Sequence, residues 1–300
     1  MKTVIKSAAA VLMASLVLLL AACSVKPAPE SSSDQTTSSS GSAEQTASET
    51  SADQTAAELK AEVSVASQNE TEAPAEAQKE ISGERSDPGD IYDATGFVSV
   101  TDVVPDVILE IRYYSTYNFI GDRVRGYEEP VALLSKEAAY ALKNAADTLR
   151  EKGYRLKIFD AYRPQTAVDH FVEWAEDLDD VRMKQYFYPE LDKSVLFDYG
   201  YIARYSGHSR GCTGDLTLCD MDTGEEVDMG GSFDYFGELS HPDYPGVTEQ
   251  QYKNRMLLQD AMTGCGFRAC QTEWWDFKLI DEPYPDTYFS FPVSLDSLKY

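Results

Sequence analysis

One change in composition, near residue 90, limits what this chain can fold into more than any other feature. From Ser24 to Asp90 the sequence is dominated by Ser, Thr, Ala, Glu and Gln and has no aromatic side chain; every Phe, Tyr and Trp of the chain lies beyond it. Such a segment cannot bury enough apolar surface to offset the entropy of ordering it, and reads as a disordered tether over residues 23–90. The folding information is therefore confined to residues 91–300, a length that supports one ordinary core. The tether holds 14 acidic and 4 basic residues, and the whole chain has a formal charge of −25, so the folded part is acidic too. That balance argues against nucleic acid as a partner.

Residues 1–22 stand apart from any fold. Lys2 and Lys6 precede an apolar run, Ala8 to Leu20, which is too short for a stable membrane span. The sequence Leu20-Ala21-Ala22-Cys23 resembles a bacterial lipoprotein processing site. That resemblance implies cleavage before Cys23, diacylation of its thiol and tethering to the outer face of a membrane. An ordinary secretory signal is the alternative; either one exports the protein. Four further cysteines, Cys212, Cys219, Cys265 and Cys270, suit disulfides in an exported domain better than a zinc site, since neither gap is a CxxC. A local bridge in "CGFRAC" and a Cys219–Cys270 bridge both remain open.

Within the domain, β-branched and aromatic residues in "GFVSVTDVVPDVILEIRYYSTYNF" suggest extended chain. "SKEAAYALKNAADTLREKG" is the clearest helix, capped by Ser135 and stopped by Gly153. "YRLKIFDAYRP" reads as a buried strand running into Pro164, and "QTAVDHFVEWAEDL" as an amphipathic helix. "GDLTLCDMD" reads as a strand that turns back at "DTGEE", "TEQQYKNRMLLQDAMTGCGF" as a third helix and "RACQTEWWDFKL" as a final strand. Mixed rather than alternating elements favour an α+β fold, an antiparallel sheet flanked by helices.

A hydrolytic zinc site takes three protein ligands and leaves one position for water. The chain has three histidines. His170 lies mid-helix and reads as a half-buried surface residue, and His241 as structural or at a rim. His208 lies between Gly207 and Gly211 and leads into the strand bearing Asp215, which suits either a ligand or a turn histidine.

"SGHSRGCTGDLTL" fits the pattern Ser-x-His-x-x-Gly-x-x-x-Asp of the D-alanyl-D-alanine dipeptidases, within the zinc D,D-peptidase superfamily. "YYSTYNFIG", "DAYRP", "DTGEEVDMGGSFD", "EWWDF" and "DEPYPDTYFSFPV" resemble further segments of that family in the same order. The resemblance implies the zinc D,D-peptidase fold, with His208 and Asp215 as metal ligands, Glu273 as general base and Arg163 stabilising the oxyanion. It also implies that Asp234 pairs with a substrate ammonium and that Tyr113 and Ser206 line the pocket. A carboxylate beside Trp274 and Trp275 is desolvated, which raises its pKa toward that of a base.

At the third ligand position the family has a histidine; this chain has Asp276. A carboxylate oxygen ligates zinc at nearly the same distance, but a second aspartate makes the ion a poorer Lewis acid and favours harder ions such as Mn²⁺. The expectation is an exported zinc dipeptidase acting on D-Ala-D-Ala or a related cell-wall peptide. A D,D- or L,D-carboxypeptidase on peptidoglycan stem peptides and a catalytically silent wall-peptide-binding lipoprotein are the rivals.

Overall fold

A computed structural model of the chain describes residues 91–299. The expected signal segment, the lipidation site Cys23 and the tether lie outside the described residues. The first strand, β1 (Phe97–Ser99), pairs antiparallel with β3 (Leu133–Ser135) in a small separate sheet. Between them come a short helix α1 (Val100–Val103) and β2 (Ile108–Leu109). The run expected to be extended thus breaks into short pieces, because a helical turn and the single turn at Arg112–Tyr114 interrupt its β-branched residues.

Ser135 accepts a hydrogen bond from the Ala138 amide at 3.3 Å and starts α2 (Lys136–Arg150). Truncating such a cap costs about 1 kcal/mol. The buried residues Ala138, Ala139, Leu142, Ala145, Ala146 and Leu149 recur at helical spacing and form the face that enters the core. Gly153, at φ +86°, turns the chain into β4 (Tyr154–Asp160). After Pro164 come α3 (Gln165–Glu176) and a single helical turn α4 (Lys184–Phe187). Next are β5 (Thr213–Asp220), α5 (Glu249–Thr263), β6 (Phe267–Ala269) and β7 (Asp276–Leu279). Thr248 and Gln251 cap α5 reciprocally. The stretch expected as one last strand is a hairpin of two, β6 and β7, with the Trp274-Trp275 pair in its turn region.

The main sheet has the order β2-β4-β5-β7-β6. Three of its four pairings are antiparallel as expected; β2 runs parallel to β4. The long crossover from β2 to β4 through α2 allows this, whereas a tight turn would not. Leu156, Ile158, Leu216, Leu218, Phe277 and Leu279 are buried, and the cross-strand register and the two-residue alternation put them on one face of the sheet. The opposite face of β5 carries Thr213, Asp215 and Thr217, all buried. The polar face of this central strand therefore holds a carboxylate out of water. Among the described residues, no helix is long and apolar enough to cross a membrane.

Cys212, Cys219, Cys265 and Cys270 are all free thiols. The expected disulfides are absent: Cys212 instead packs its sulfur 3.1 Å from Ser135 Oγ, and Cys270 lies 3.4 Å from Thr272 Oγ1.

Candidate active site

The site is built by strand register. Asp215 on β5 is the direct cross-strand partner of Asp160 on β4 and of Asp276 on β7, so three aspartates stand side by side across three strands. Directly opposed residues share a face. Asp160 reaches this row through an irregularity between Ile158 and Asp160. In regular register Phe159 would oppose Asp215; the extra residue re-aims the strand end and delivers a carboxylate instead.

The fourth member comes from the turn Gly207–Arg210. Ser206 caps it, its hydroxyl accepting from the His208 amide at 3.2 Å. Gly211, at φ +76°, ends the turn in a left-handed conformation; a Cβ there would lie 2.1 Å from the Phe97 ring. The turn is thus held where only glycine fits. The His208 carbonyl accepts from the Arg163 amide at 3.3 Å and ties it to β4's extension.

His208 is 4 % exposed, and its two nitrogens have different surroundings. Nδ1 lies 2.7 Å from the Ala161 carbonyl, to which it can donate. That bond leaves Nε2 as the lone-pair nitrogen. Nε2 stands 3.3 Å from Asp276 Oδ2 and 3.5 Å from Asp215 Oδ1. Two ligands of a tetrahedral zinc, each ~2.0–2.1 Å from the ion, are separated by roughly 3.3 Å. Asp215 Oδ1 is buried and has no hydrogen-bond partner, a costly state that a cation would relieve. The shorter side chain at 276 therefore still reaches the site, and the residues fit a bound metal.

Asp160 makes a second grouping conceivable, since ligand atoms of Asp160, His208 and Asp215 all lie within 4.8 Å of one another. Asp160 faces Nδ1, at 3.5 Å, the nitrogen already turned to Ala161. Its own oxygens accept from Tyr127 Oη at 2.5 Å and Arg163 Nε at 2.8 Å. A metal would therefore meet the Nε2 side, the metal face, with Asp160 behind the ring. Asp160 and Tyr127 were not singled out from the sequence; the quoted "DAYRP" contains Asp160, but nothing in the chain order reveals the register that sets it beside Asp215.

The electrostatics show an excess of buried negative charge. Burial, then Arg163, act to lower the His208 pKa, yet Asp215 and Asp276 outweigh them and push it up to about 10. Burial pushes Asp215 up to about 6 despite His208 beside it, and Asp276 adds to the rise. Burial, then Asp276, Asp215 and Asp234, hold Glu273 well above the usual carboxylate range, with Arg163 opposing them. Glu273 sits in the hairpin turn between β6 and β7, next to Trp274 and Trp275, which are buried edge-to-face at 5.3 Å.

Arg163 is fixed from several sides. Besides Asp160, it reaches Asp215 Oδ2 at 3.4 Å, and its guanidinium lies over the rings of Tyr113 and Phe171. Asp234 is 6 % exposed and is the one described non-glycine residue with positive φ, +61°. Its Oδ1 accepts from Tyr113 Oη at 3.1 Å, while Oδ2 is buried with no partner. Burial, then Asp215, push its pKa up to about 8 against the pull of Arg163. Tyr113 itself is fully buried, so it orients Asp234. His170 accepts the Arg125 amide at Nδ1 on a half-buried face of α3, and the His241 carbonyl accepts from Arg255; neither imidazole joins the cluster.

An imidazole and carboxylates converging on one face of the sheet, with an acid of raised pKa near them, are the groups that a cation-dependent hydrolytic centre uses. The family model for peptidase M15, D-Ala-D-Ala dipeptidase, matches residues 93–294. The D-alanyl-D-alanine dipeptidase of Enterococcus faecalis is 42% identical over 199 residues, 66% of this chain and 98% of its own length. That of Streptomyces coelicolor is 39% identical over 198 residues, again 66% and 98%. This chain belongs to the D-Ala-D-Ala dipeptidase family of peptidase M15, a family of zinc metallopeptidases. A solved vancomycin resistance D,D-pentapeptidase in complex with Zn(II) covers 50% of this chain and 74% of its own at 12% identity and a TM-score of 0.30, too slight a likeness to argue from.

Proposed function

We propose that residues 91–300 form a metal-dependent dipeptidase that hydrolyses D-alanyl-D-alanine or a closely related cell-wall dipeptide. The observation that carries this reading is the approach of Asp276 Oδ2 and the orphaned Asp215 Oδ1 to His208 Nε2 at 3.3 and 3.5 Å. His208, Asp215 and Asp276 would hold zinc, or Mn²⁺ given the carboxylate-rich set, and the ion would acidify a water and polarise the scissile carbonyl.

The chain's own residues supply the rest. Glu273, with its raised pKa, accepts a proton from the attacking water and returns it to the leaving amine. Arg163, rigidly held by two aspartates and two rings, presents fixed positive charge where an oxyanion develops. The unpartnered Asp234 Oδ2 pairs with the free ammonium of the dipeptide, Tyr113 holding its other oxygen. Ser206 contributes by capping the turn that carries His208. An ammonium acceptor of this kind selects short peptides with a free amino end over stem peptides. In our reading the protein works outside the cell, anchored through a lipid on Cys23; this placement suits trimming or salvage of peptides released from the wall.

The test is metal content of the purified protein with D-Ala-D-Ala turnover measured before and after chelation. About one ion per chain and activity that is lost to chelator and regained with Zn²⁺ or Mn²⁺ support the reading. Absence of turnover with either ion leaves the wall-peptide-binding reading. Turnover of a pentapeptide but not of the dipeptide favours the carboxypeptidase. Asp276→His should raise zinc affinity about tenfold or more, since imidazole is the better zinc ligand; unchanged affinity removes Asp276 from the ligand set.

A further inference from the structure

Arg255, on α5, is 1 % exposed, forms no ion pair with a carboxylate among the described residues, and has its guanidinium 5.8 Å from the Trp274 ring. All three of its described hydrogen bonds go to backbone carbonyls of one loop. Nε donates to Met229 O at 2.7 Å, Nη2 to Leu239 O at 3.0 Å and Nη1 to His241 O at 2.6 Å. One planar group thus grips both ends of the segment 229–241, and Asp234 lies inside the span it closes. A rigid fork can do this; a lysine cannot.

The rest of the first turns of α5 reinforces the grip. Asn254 Nδ2 donates to Asp228 O at 2.7 Å and Gln251 Nε2 to Asp228 Oδ2 at 2.9 Å. Gly230, at φ +78°, packs where a Cβ would stand 2.8 Å from Gln251 Oε1, and a Cβ on Gly231 would lie 3.4 Å from Arg255 Nη2. The two glycines let the loop fold down onto the helix. Asp234, meanwhile, holds a positive φ, a strained conformation that persists only where the surroundings over-determine it.

We infer that Arg255 is a positioning residue for the amino end of the substrate: by stapling the two ends of the 229–241 loop it holds Asp234 Oδ2 in place. This rests on the reading of Asp234 as the ammonium acceptor. The staple explains why a charge is buried against three carbonyls and the Trp274 ring: what it stabilises is the path of the loop.

The experiment uses the full chain loaded with zinc and compares Arg255→Met, which keeps the bulk, with Arg255→Lys, which keeps the charge. Arg255→Met should raise KM for D-Ala-D-Ala by about 10- to 100-fold, as expected for a misplaced binding group, with kcat changing far less. Arg255→Lys should recover part of the loss, because one ammonium cannot span three carbonyls, and it serves in place of the Met variant should that one not fold. In an Asp234→Asn background the Arg255→Met effect on KM should nearly vanish, whereas a general loss of stability would multiply through both variants. An unchanged KM in Arg255→Met, or full multiplication of the two effects, overturns the inference. Should Asp234→Asn itself leave KM unmoved, the ammonium reading is at fault, and hydrogen exchange of amides 230–238 then decides the staple. Faster exchange in Arg255→Met upholds it, and unchanged protection overturns it.

Discussion

The metal face and the loop that carries Asp234 reach their geometry by opposite routes. Asp160, Asp215 and Asp276 are placed by strand pairing, each backbone fixed by its neighbour in the ladder. Asp234 has no ladder around it; it sits at φ +61° in a loop held through side-chain bonds from α5 to its carbonyls. The two are adjacent in electrostatic terms, since Asp215 acts directly on Asp234. The difference teaches how the site divides its labour. The aspartates of the metal face stand on a sheet, and Asp234, proposed to read the substrate, stands on a loop, where sequence change is better tolerated.

Removing a proposed ligand from the metal face should have the largest effect. His208→Ala should lower metal content to near zero and turnover to background, as measured by metal analysis and hydrolysis on one sample; retained metal would place the ion elsewhere. Glu273→Gln should keep the metal but lower kcat by about 10²- to 10⁴-fold, the usual contribution of a general base. If metal and kcat fell together, Glu273 would be a ligand. Asp160→Asn keeps its size but weakens the anchor on Arg163 and the support behind His208. A loss of about 10- to 100-fold in metal affinity or activity is the expected cost of such a supporting group, and titration against a chelator of known affinity measures it.

Asp234→Asn should have the mildest effect on kcat and the clearest effect on pH. In the fold the Asp234 carboxyl is pushed up to about 8, so it is protonated at lower pH and cannot pair with an ammonium there. KM for the dipeptide should fall as pH rises toward about 8, then rise again as the substrate amine, with pKa about 7.7–8.0, loses its charge. Asp234→Asn should remove the acidic limb and leave the basic one, a change read from KM against pH; a surviving acidic limb would assign it to another group.

Much of this was legible in the sequence. The helix at Lys136–Arg150 announces itself through its Ser135 cap and its small apolar residues, and "SGHSRGCTGD" places a histidine-bearing turn directly before a strand. Where the readings failed, the reason was pairing between distant segments. "RACQTEWWDFKL" looks like one strand because its apolar content is continuous; only the pairing of Ala269 with Phe277 shows the hairpin. Asp160 looks like an ordinary strand-end acid until an extra residue at Phe159 sets it opposite Asp215. Arg255 looks like one more polar residue on a helix, since carbonyl acceptors leave no mark in a sequence.

The central claim is that one imidazole nitrogen and two aspartate oxygens meet around a single ion. Anomalous diffraction at the zinc edge from crystals of the zinc-loaded protein tests it most directly. The account requires one peak, bonded to His208 Nε2 and to carboxylate oxygens of Asp215 and Asp276 at about 2.0–2.2 Å. A peak on the Nδ1 side beside Asp160, or one that leaves Asp276 out of its coordination, would contradict it.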